Sequence, residues 1–444
     1  MRGLRLNLWR PPTQNDRADR NGAAAWEGLE RLKFQRFRVR TQKQLPTDSS
    51  HLMIIEFVMD YNLLTPDGDA MPLREIFEIA SDGAMQVSVR LQGEGVFKTF
   101  ARVGLQGKIP KSYSTTTWWG YDAERYPDRR TAGEEGRFRV FDLASLARHH
   151  AVPQEEGNRE AWQVEFSDYN RGRSLTVSID QKELFNFSRH SYDDTVVAAH
   201  DRWWKMPAPD SSWSIFNIDS RLAGVGTATC GPGVRERYLL SGDSTYTFRF
   251  SFFPSEVADS NLNVRGNPFV ENKMLSEPLK RVERANLAKS LKASRKPSGK
   301  YGKGFPGVLH DGRHGVAGDW GSGWVGWEGA ESVVLEVKTK KRGATNVAVS
   351  FGHAPDDWVM MPEKVEVWVP KQKAWVPLTI VNRVKDPRHG RQRVTFALKE
   401  SGVKIQKSKL KIRITGVGRL PEWHAYKGEK AWLMVDEIRV TCDL

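Results

Sequence analysis

The sequence predicts an all-β protein made of two unlike β-sandwiches joined by a basic linker. Short segments with apolar residues at every second position recur along most of the chain, which is typical of half-buried strands. No strand is followed by the long helix of an α/β protein, and one run of basic residues separates two groups of strands. Hydrophobic residues make up 39% and aromatic residues 10% of the 444 residues, a composition of folded rather than disordered chains.

The first group of strands lies within residues 1–258. In the clearest of them, Phe248, Phe250 and Phe252 point to one face and Arg249 points to the other. One face of this strand is therefore expected to be buried and the other exposed to solvent. The predicted strands of this group are 53–59, 85–91, 162–166, 175–179, 213–218 and 246–252.

Residues 259–300 are predicted to form a linker with a short helix. Residues 280–303 carry nine Lys or Arg against one acid, so +8 of the formal charge of +14 lies in this stretch. Because aromatic residues are scarce there, an exposed linker explains the charge better than a nucleic-acid site, and no nucleic-acid partner is expected. The apolar residues with a loose helical spacing are Leu279, Val282, Leu287 and Leu291.

The second group of strands lies within residues 301–444. Turn-rich loops separate these strands, as they do in the first group, and the two groups do not align with each other. Two different sandwiches are therefore expected. The predicted strands are 332–337, 346–351, 364–369, 393–398, 410–414 and 431–440.

Several classes of protein are excluded by what the sequence lacks. The two cysteines, Cys230 and Cys442, cannot form a disulfide framework or a cysteine-cluster metal site. No G-x-x-x-x-G-K-[ST] motif is present, and the strand-then-helix context of a dinucleotide site is missing, so no nucleotide cofactor is expected. The longest apolar stretch, 51–64, is interrupted by Glu56 and Asp60, so no membrane span is expected. The first residues lack the apolar core of a signal peptide, so none is expected.

Three segments of the first group are distinctive: LNLWRPPTQND at 6–16, WWGYDAERYPDRRTAG at 118–133 and NIDSRLAGVGTATCGPGVRERYLL at 217–240. Together they resemble the C-terminal β-sandwich of family-two glycoside hydrolase β-galactosidases, which some bacteria encode as a separate small chain. They occur in the family's order, and EGNREAWQVEF and FNFSRHSY lie between the last two as in the family. Read from the residues alone, Asp128 belongs to a turn and is expected to pair locally with Arg129 or Arg130.

This resemblance implies a galactose-mutarotase-like β-supersandwich over residues 1–258 and a catalytic barrel that precedes it in the family. The two carboxylates of the retaining mechanism belong to that barrel. We therefore name no catalytic residue and expect the chain to be inactive alone. In family members the glycine-rich loop of this sandwich reaches the sugar pocket; the corresponding loop here is 224–233, and its candidate pocket residues are Thr227, Thr229 and Cys230. A tight turn that depends on glycine is the alternative.

Four segments characterise residues 301–444: VLHDGRHG from 308, SGWVGWEG from 322, VAVSFGHAPDDWVMMPEKVEVWV from 347 and RLPEWHAYKGEKAWLMVDEIRV from 419. With them this region resembles a discoidin-like (F5/8 type C) carbohydrate-binding module, which implies a galactose-binding-like jelly-roll β-sandwich. In such modules the positions of Asp311 and Glu437 hold a structural Ca²⁺. Ordinary turn capping is the alternative for both residues.

A sugar site needs an aromatic platform with a few fixed polar groups beside it. Trp320, Trp358 and Trp423 lie in predicted loops, and His424 could bond a hydroxyl beside the last of them. These four residues are the candidate carbohydrate-binding site. The tryptophans expected in the core are Trp327, Trp368 and Trp432.

The sequence thus predicts the C-terminal part or small subunit of a β-galactosidase, which completes the active site of a separate catalytic barrel and binds galactose-containing glycans. The first alternative is a stand-alone, non-catalytic, lectin-like protein, since both units could bind sugar without chemistry. The second is a mutarotase, because the fold implied for the first sandwich is shared with aldose epimerases, although no motif pairs the histidine and carboxylate that an epimerase needs. Calcium is the one cofactor expected. If the chain serves a secreted glycosidase, its place is the periplasm or the extracellular space.

Overall fold

The fold is taken from a computed structural model that divides the chain into two compact units, Met1–Arg281 and Val282–Leu444. Strands dominate both units, which confirms the all-β prediction. Within the ranges described here, no helix is long and apolar enough to cross a membrane. The structure describes residues 2–44, 53–66, 68–130, 133–146, 150–179, 183–256, 275, 279, 286–312, 314–315, 318–339, 345–371, 374–382, 390–398 and 409–441.

The first unit contains fifteen strands and two short helices within the described residues. The strands are β1 (Arg2–Asn7), β2 (Lys33–Gln44), β3 (Ile54–Leu64), β4 (Ala70–Ala80), β5 (Met85–Gln92), β6 (Thr99–Phe100), β7 (Arg102–Pro110), β8 (Thr115–Tyr121), β9 (Glu135–Val140), β10 (Arg159–Asp168), β11 (Arg173–Ile179), β12 (Phe185–His190), β13 (Trp213–Leu222), β14 (Leu240–Ser241) and β15 (Thr245–Glu256). The helices are α1 (Gln14–Ala18) and α2 (Asp194–Ala199).

Thirteen of these strands form one antiparallel sheet, and eleven of them lie in the order β1-β7-β13-β12-β10-β11-β15-β5-β4-β3-β2. Strand β8 pairs with β10, and β9 pairs with β8. Strands β6 and β14 form a separate two-stranded ribbon. The long sheet brings β7, β13, β12 and β10 side by side. The glycine-rich loop follows β13, and several residues of the site lie on β7, β12 and β13.

Strand β15 shows why the apolar alternation predicted the sheet correctly. Phe248, Phe250 and Phe252 are all buried, and the rings of Phe250 and Phe185 lie 5.3 Å apart. The other face is less exposed to solvent than predicted, since Ser251 is buried. Its hydroxyl accepts a hydrogen bond of 3.3 Å from the side chain of Gln86.

The second unit is a two-sheet sandwich. One sheet has the order β16-β18-β23-β20-β21 and the other β17-β24-β19-β22, with antiparallel neighbours throughout. Strands of both sheets contribute to one apolar core. The strands are β16 (Ala288–Ala293), β17 (Val325–Glu328), β18 (Ser332–Thr339), β19 (Asn346–His353), β20 (Lys364–Lys371), β21 (Ala374–Asn382), β22 (Gly390–Ala397), β23 (Lys409–Thr415) and β24 (Trp432–Thr441).

The strand tryptophans of this unit are buried to different degrees. Trp327 is 1% exposed in the core and its indole N–H donates to the carbonyl of Arg295 at 3.0 Å, as the prediction of a core residue requires. Trp368 and Trp432 are only half-buried. The ring of Trp432 packs against Tyr301 at 4.8 Å, beside the core rather than inside it.

The predicted linker ends too late, and its described part forms a strand rather than a helix. Residues 288–293 make β16, which pairs with β18 inside the second unit. A register shift between Ala288 and Ser290 lets Ala288 and Leu291 both point inward, three positions apart, and a helix gives the same spacing. The rest of the predicted linker, including Val282, lies mostly outside the described residues.

Candidate functional site

The glycine-rich loop 224–233 follows β13 in the first unit. The carboxylate of Asp128 accepts hydrogen bonds from the backbone N–H groups of Val225 at 3.0 Å and Gly226 at 2.7 Å. A Cβ atom on Gly224 would lie 2.7 Å from the same carboxylate, so a side chain at this position would displace it. The loop is therefore fixed at its beginning by an acid that is distant in sequence.

Asp128 does not make the local ion pair expected from the sequence. Arg129 donates to the carbonyl of Gly226 instead, and Arg130 pairs with Glu160. The turn that contains Asp128 thus supplies both an acceptor and a donor to the glycine loop. Local reasoning missed these roles because the partners lie almost a hundred residues away.

A buried arginine fixes the same loop from the other side. The guanidinium of Arg10 donates to the carbonyls of Ala223 at 2.9 Å and Gly224 at 3.1 Å, and it pairs with Asp16 at 2.9 Å. Arg10 is 0% exposed, and its guanidinium carbon lies 5.4 Å from the ring centre of Tyr126. A charge buried this deeply is tolerated because it is paired and its N–H groups reach carbonyls.

The segment around helix α1 supplies Asp16 of this ion pair and two further side chains that bond the end of the loop and the residue after it. Thr13 caps the helix through a reciprocal pair of hydrogen bonds with Asp16. Asn15 accepts hydrogen bonds from the N–H and hydroxyl of Thr229, at 3.2 and 2.8 Å. Asp19 accepts from the N–H of Val234 at 2.6 Å. The segment that contains α1 therefore contacts the end of the glycine loop.

The three predicted pocket residues have different roles in the structure. Thr227 donates its hydroxyl proton to the carbonyl of Pro232 at 3.0 Å, and Thr229 donates its own to Asn15. Both protons are thus used within the assembly that holds the loop, although each oxygen can still accept. Cys230 is an exposed, free thiol. The loop presents backbone and small side chains, because it has no aromatic residue.

A buried ionic network lies next to this assembly. Arg102 donates to Glu155, and its Nε lies 3.8 Å from a carboxylate oxygen of Asp219. Burial raises the pKa of Asp219 to about 7, because the charge of Arg102 offsets the loss of water only in part. Burial also raises the pKa of Glu156 to about 8, and the charges of nearby acids add to this effect.

The fold also brings a histidine and a carboxylate together, which no sequence motif predicted. His190 Nε2 lies 3.3 Å from Asp194 Oδ1. Burial alone would lower the pKa of His190, but the hydrogen bond and charge of Asp194 raise it. Gln106 donates to Asp194 at 2.8 Å, and Asn217 lies 3.3 Å from His190 Nε2, so the pair belongs to a network inside the sheet.

The second unit carries an exposed aromatic patch, which we define as Trp358, Trp423, His424 and Tyr426. Trp423 is 61% exposed and Tyr426 59%, while Trp358 is half-buried with its ring 5.4 Å from that of Tyr426. His424 Nε2 lies 3.0 Å from the carbonyl of Pro355, and its Nδ1 accepts from the N–H of Tyr426 at 3.0 Å. These contacts assign the neutral tautomer with the proton on Nε2, and they tie the two loops of the patch together.

Two of the sequence predictions for this patch need changing. Trp320 is 7% exposed, packs 5.0 Å from Trp324 and donates its indole N–H to Asp357 at 2.8 Å, so it supports a loop and offers no open ring face. His424 uses both ring nitrogens inside the protein, so its role here is to hold the loops. Tyr426 was missed, although an aromatic residue in a polar loop beside Trp423 was the signal for it.

The two predicted calcium ligands differ in their surroundings. Asp311 is exposed, whereas Glu437 is fully buried and burial raises its pKa to about 8. The carboxylate of Glu437 accepts from Asn286 at 3.1 Å and from the N–H of Gly312 at 3.3 Å. Among the described residues, no three His, Cys, Asp or Glu side chains are grouped to hold a metal ion. The side chains described here therefore do not form a complete calcium site, and calcium binding stays a prediction.

Comparison with solved structures finds likenesses that each cover about a third of this chain. A Ruminococcus gnavus GH29 fucosidase in complex with fucose is 15% identical over 36% of this chain and 27% of its own, with a TM-score of 0.22. A CBM32-2 module of a GH31 protein bound to GalNAc is 10% identical over 35% of this chain and 98% of its own, with a TM-score of 0.24.

Comparison with curated proteins and family models is more informative for the first unit. The β-galactosidase of Actinobacillus pleuropneumoniae is 24% identical over 56% of this chain and 23% of its own length, and that of Kluyveromyces lactis is 26% identical over 56% and 24%. The chain therefore spans about a quarter of the length of these relatives. The family model described as "Beta galactosidase small chain" matches residues 1–252. Since this match covers more than half of the chain, the protein belongs to the β-galactosidase small-chain family.

Proposed function

We propose that this chain docks with a catalytic β-galactosidase barrel and presents the glycine loop 224–233 to the sugar pocket of that barrel. The observation that supports this is the convergence of two family segments on the loop of the third. Arg10 of the first segment and Asp128 of the second are distant in sequence, and both bond the backbone at the beginning of the loop. Asp19, just after the first segment, bonds the N–H group that follows the loop. Folding alone does not require an exposed loop to be fixed by so many bonds, whereas a loop that contacts a ligand or a partner protein has to be held in one position.

We expect the isolated chain to have no β-galactosidase activity and to restore it to a catalytic chain that lacks its own small-chain region. The test measures hydrolysis of an aryl β-galactoside by each chain alone and by the mixture. Asp128→Ala should lower the activity of the mixture by up to about 100-fold, because the loop loses its fixed position. Asp201→Ala, which removes an exposed acid of the same unit, is the matched control.

Turnover by the isolated chain would contradict the first half of this proposal. Failure of the two chains to associate in size-exclusion chromatography would contradict the second half and favour the stand-alone lectin-like alternative. If association survives in Asp128→Ala but activity is lost, the loop acts on the pocket rather than on docking.

We also propose that the aromatic patch of the second unit binds galactose-containing glycans. Trp423 and Tyr426 expose flat apolar faces, as stacking against pyranose C–H groups requires. Asp356 and Lys427 are exposed polar side chains in the same two loops, and they could bond hydroxyls at the rim of such a platform.

Trp423→Ala should weaken binding of galactose and lactose at least about tenfold, which corresponds to the loss of roughly 1.4 kcal/mol of stacking. Calorimetric titration at millimolar sugar measures the affinity. Ile380→Ala, which truncates an exposed apolar residue on β21, is the control and should bind as the original chain does. Equal affinity in Trp423→Ala, or no binding by the original chain, would leave the patch without a role in glycan binding.

Calcium, if it binds near Glu437, should raise the melting temperature of the second unit. The expected result is an upward shift in millimolar calcium relative to EDTA, and no shift in Glu437→Gln. Asp142→Ala, which removes an exposed acid of the first unit, should keep the shift. The same melting temperature in calcium and in EDTA would refute a calcium site here.

A further inference from the structure

The first unit carries a second group of aromatic side chains, which we call the aromatic triad: Trp119, Tyr121 and Trp162. The ring centres of Trp119 and Trp162 lie 5.1 Å apart, and those of Tyr121 and Trp162 lie 5.9 Å apart. Trp119 is 46% exposed, and the other two are half-buried. The triad therefore forms a continuous aromatic surface that water reaches.

A β-bulge places the three rings on the same face of the sheet. In β8, Trp118 and Gly120 point inward, so their neighbours Trp119 and Tyr121 point outward. In β10 the register against β8 shifts between Ala161 and Gln163, which leaves Trp162 as the extra residue. A bulge of this kind redirects a side chain, and here it brings Trp162 beside the outward residues of β8.

Charged side chains of both signs border the triad. Arg137 lies across from Trp119 in the β8–β9 register, and Glu135 lies across from Tyr121, and both are exposed. Directly opposite residues of paired strands share a face, so these side chains stand beside the rings. On the other side, the guanidinium of Arg125 lies 4.0 Å from the ring centre of Tyr121.

The polar groups of the triad itself remain available. Among the described residues, the indole N–H groups of Trp119 and Trp162 have no protein acceptor. By contrast, the neighbouring inward Trp118 donates its indole N–H to the carbonyl of Tyr121 at 2.8 Å. The outward surface therefore combines ring faces with hydrogen-bond donors, and Glu135 adds an acceptor.

We propose that the aromatic triad is a carbohydrate-binding site that takes neutral pyranose oligosaccharides. Pyranose rings offer apolar C–H faces to the rings and hydroxyls to the indole N–H groups, Arg137 and Glu135. A neutral polyol needs both donors and acceptors around it, and the mixed charges of the rim supply them. Protein interfaces are also rich in Trp, Tyr and Arg, so association with the catalytic chain is measured beside sugar binding as the competing outcome.

This site is separate from the aromatic patch of the second unit and does not depend on the function proposed for it. The test is affinity electrophoresis in gels that contain soluble β-1,4-galactan, xyloglucan or arabinogalactan, performed in a Trp423→Ala background. We expect at least one polysaccharide to retard this protein. Adding Trp119→Ala or Trp162→Ala should abolish the retardation, while adding Trp204→Ala, which removes another exposed tryptophan of the same unit, should not.

Melting curves show whether each variant is folded, so that a loss of retardation can be assigned to the missing ring. Trp119 is half-exposed, so Trp119→Ala should melt within a few degrees of its parent, and Trp119→Phe should retain part of the retardation. The proposal is overturned if no polysaccharide retards the Trp423→Ala protein, or if folded Trp119→Ala is retarded equally. It is also overturned if Trp119→Ala loses association with the catalytic chain and leaves retardation unchanged, which would identify a protein as the occupant.

Discussion

Replacing Asp16 by Ala is expected to lower the free energy of unfolding of the first unit by about 3 to 5 kcal/mol, the usual cost of breaking a buried ion pair. Arg10 is 0% exposed, so without its partner it would remain a buried charge with no counter-charge at 2.9 Å. The same change removes the reciprocal cap of helix α1. Urea unfolding followed by near-ultraviolet circular dichroism measures the difference.

Two comparisons make this result specific. Asp16→Asn keeps one acceptor oxygen for the N–H of Thr13, but it replaces the other oxygen by an amide NH2 group beside Arg10 and removes the charge. It should cost less than Asp16→Ala because the helix cap is kept. Asp142→Ala removes an exposed carboxylate that bonds only locally to Ser145, and should change stability little. A loss below about 1 kcal/mol in Asp16→Ala would mean that the Arg10 pair contributes no more than a surface salt bridge.

Trp327→Ala is expected to destabilise the second unit by about 3 to 5 kcal/mol, since it empties a large volume in the core. Trp327 is 1% exposed and also loses its hydrogen bond to the carbonyl of Arg295. Trp423→Ala, by contrast, truncates a side chain that is 61% exposed and should change stability by less than about 0.5 kcal/mol.

The two variants together separate folding from binding in the same unit. Melting curves should distinguish Trp327→Ala from the original chain and should not distinguish Trp423→Ala. Equal destabilisation by both changes would show that the loop of Trp423 is part of the core. Any loss of glycan binding in Trp423→Ala would then report on folding rather than on stacking.

Strands with strict alternation were predictable because each has a defined apolar side. Strand β15 met this condition, with Phe248, Phe250 and Phe252 buried as expected. Strand β16 did not, because Leu287, just before it, and Leu291, after its bulge, are both buried four positions apart, which is also the spacing of a helix. Strand β2 was also missed; its sequence, KFQRFRVRTQKQ, is rich in basic residues and lacks a clear apolar side.

The candidate site was predictable as a set of segments but not as an arrangement. The resemblance identified the stretches that contain Arg10, Asp128 and the glycine loop, yet no rule of local sequence connects an acid to N–H groups 97 residues away. Trp320 illustrates the opposite error. A tryptophan between turn residues looked exposed, but the fold buries it against Trp324 and Asp357.

Strand β16 determines where a fragment of the second unit has to begin. The side chain of Asn286, just before the strand, accepts from the N–H groups of Ala288 and Val440 and so anchors its start. A fragment that begins at residue 301 would lose this strand and leave the backbone of β18 as an open sheet edge. Open edges recruit strands from other molecules, so that fragment should self-associate and precipitate at concentrations where a fragment beginning at residue 286 stays monomeric.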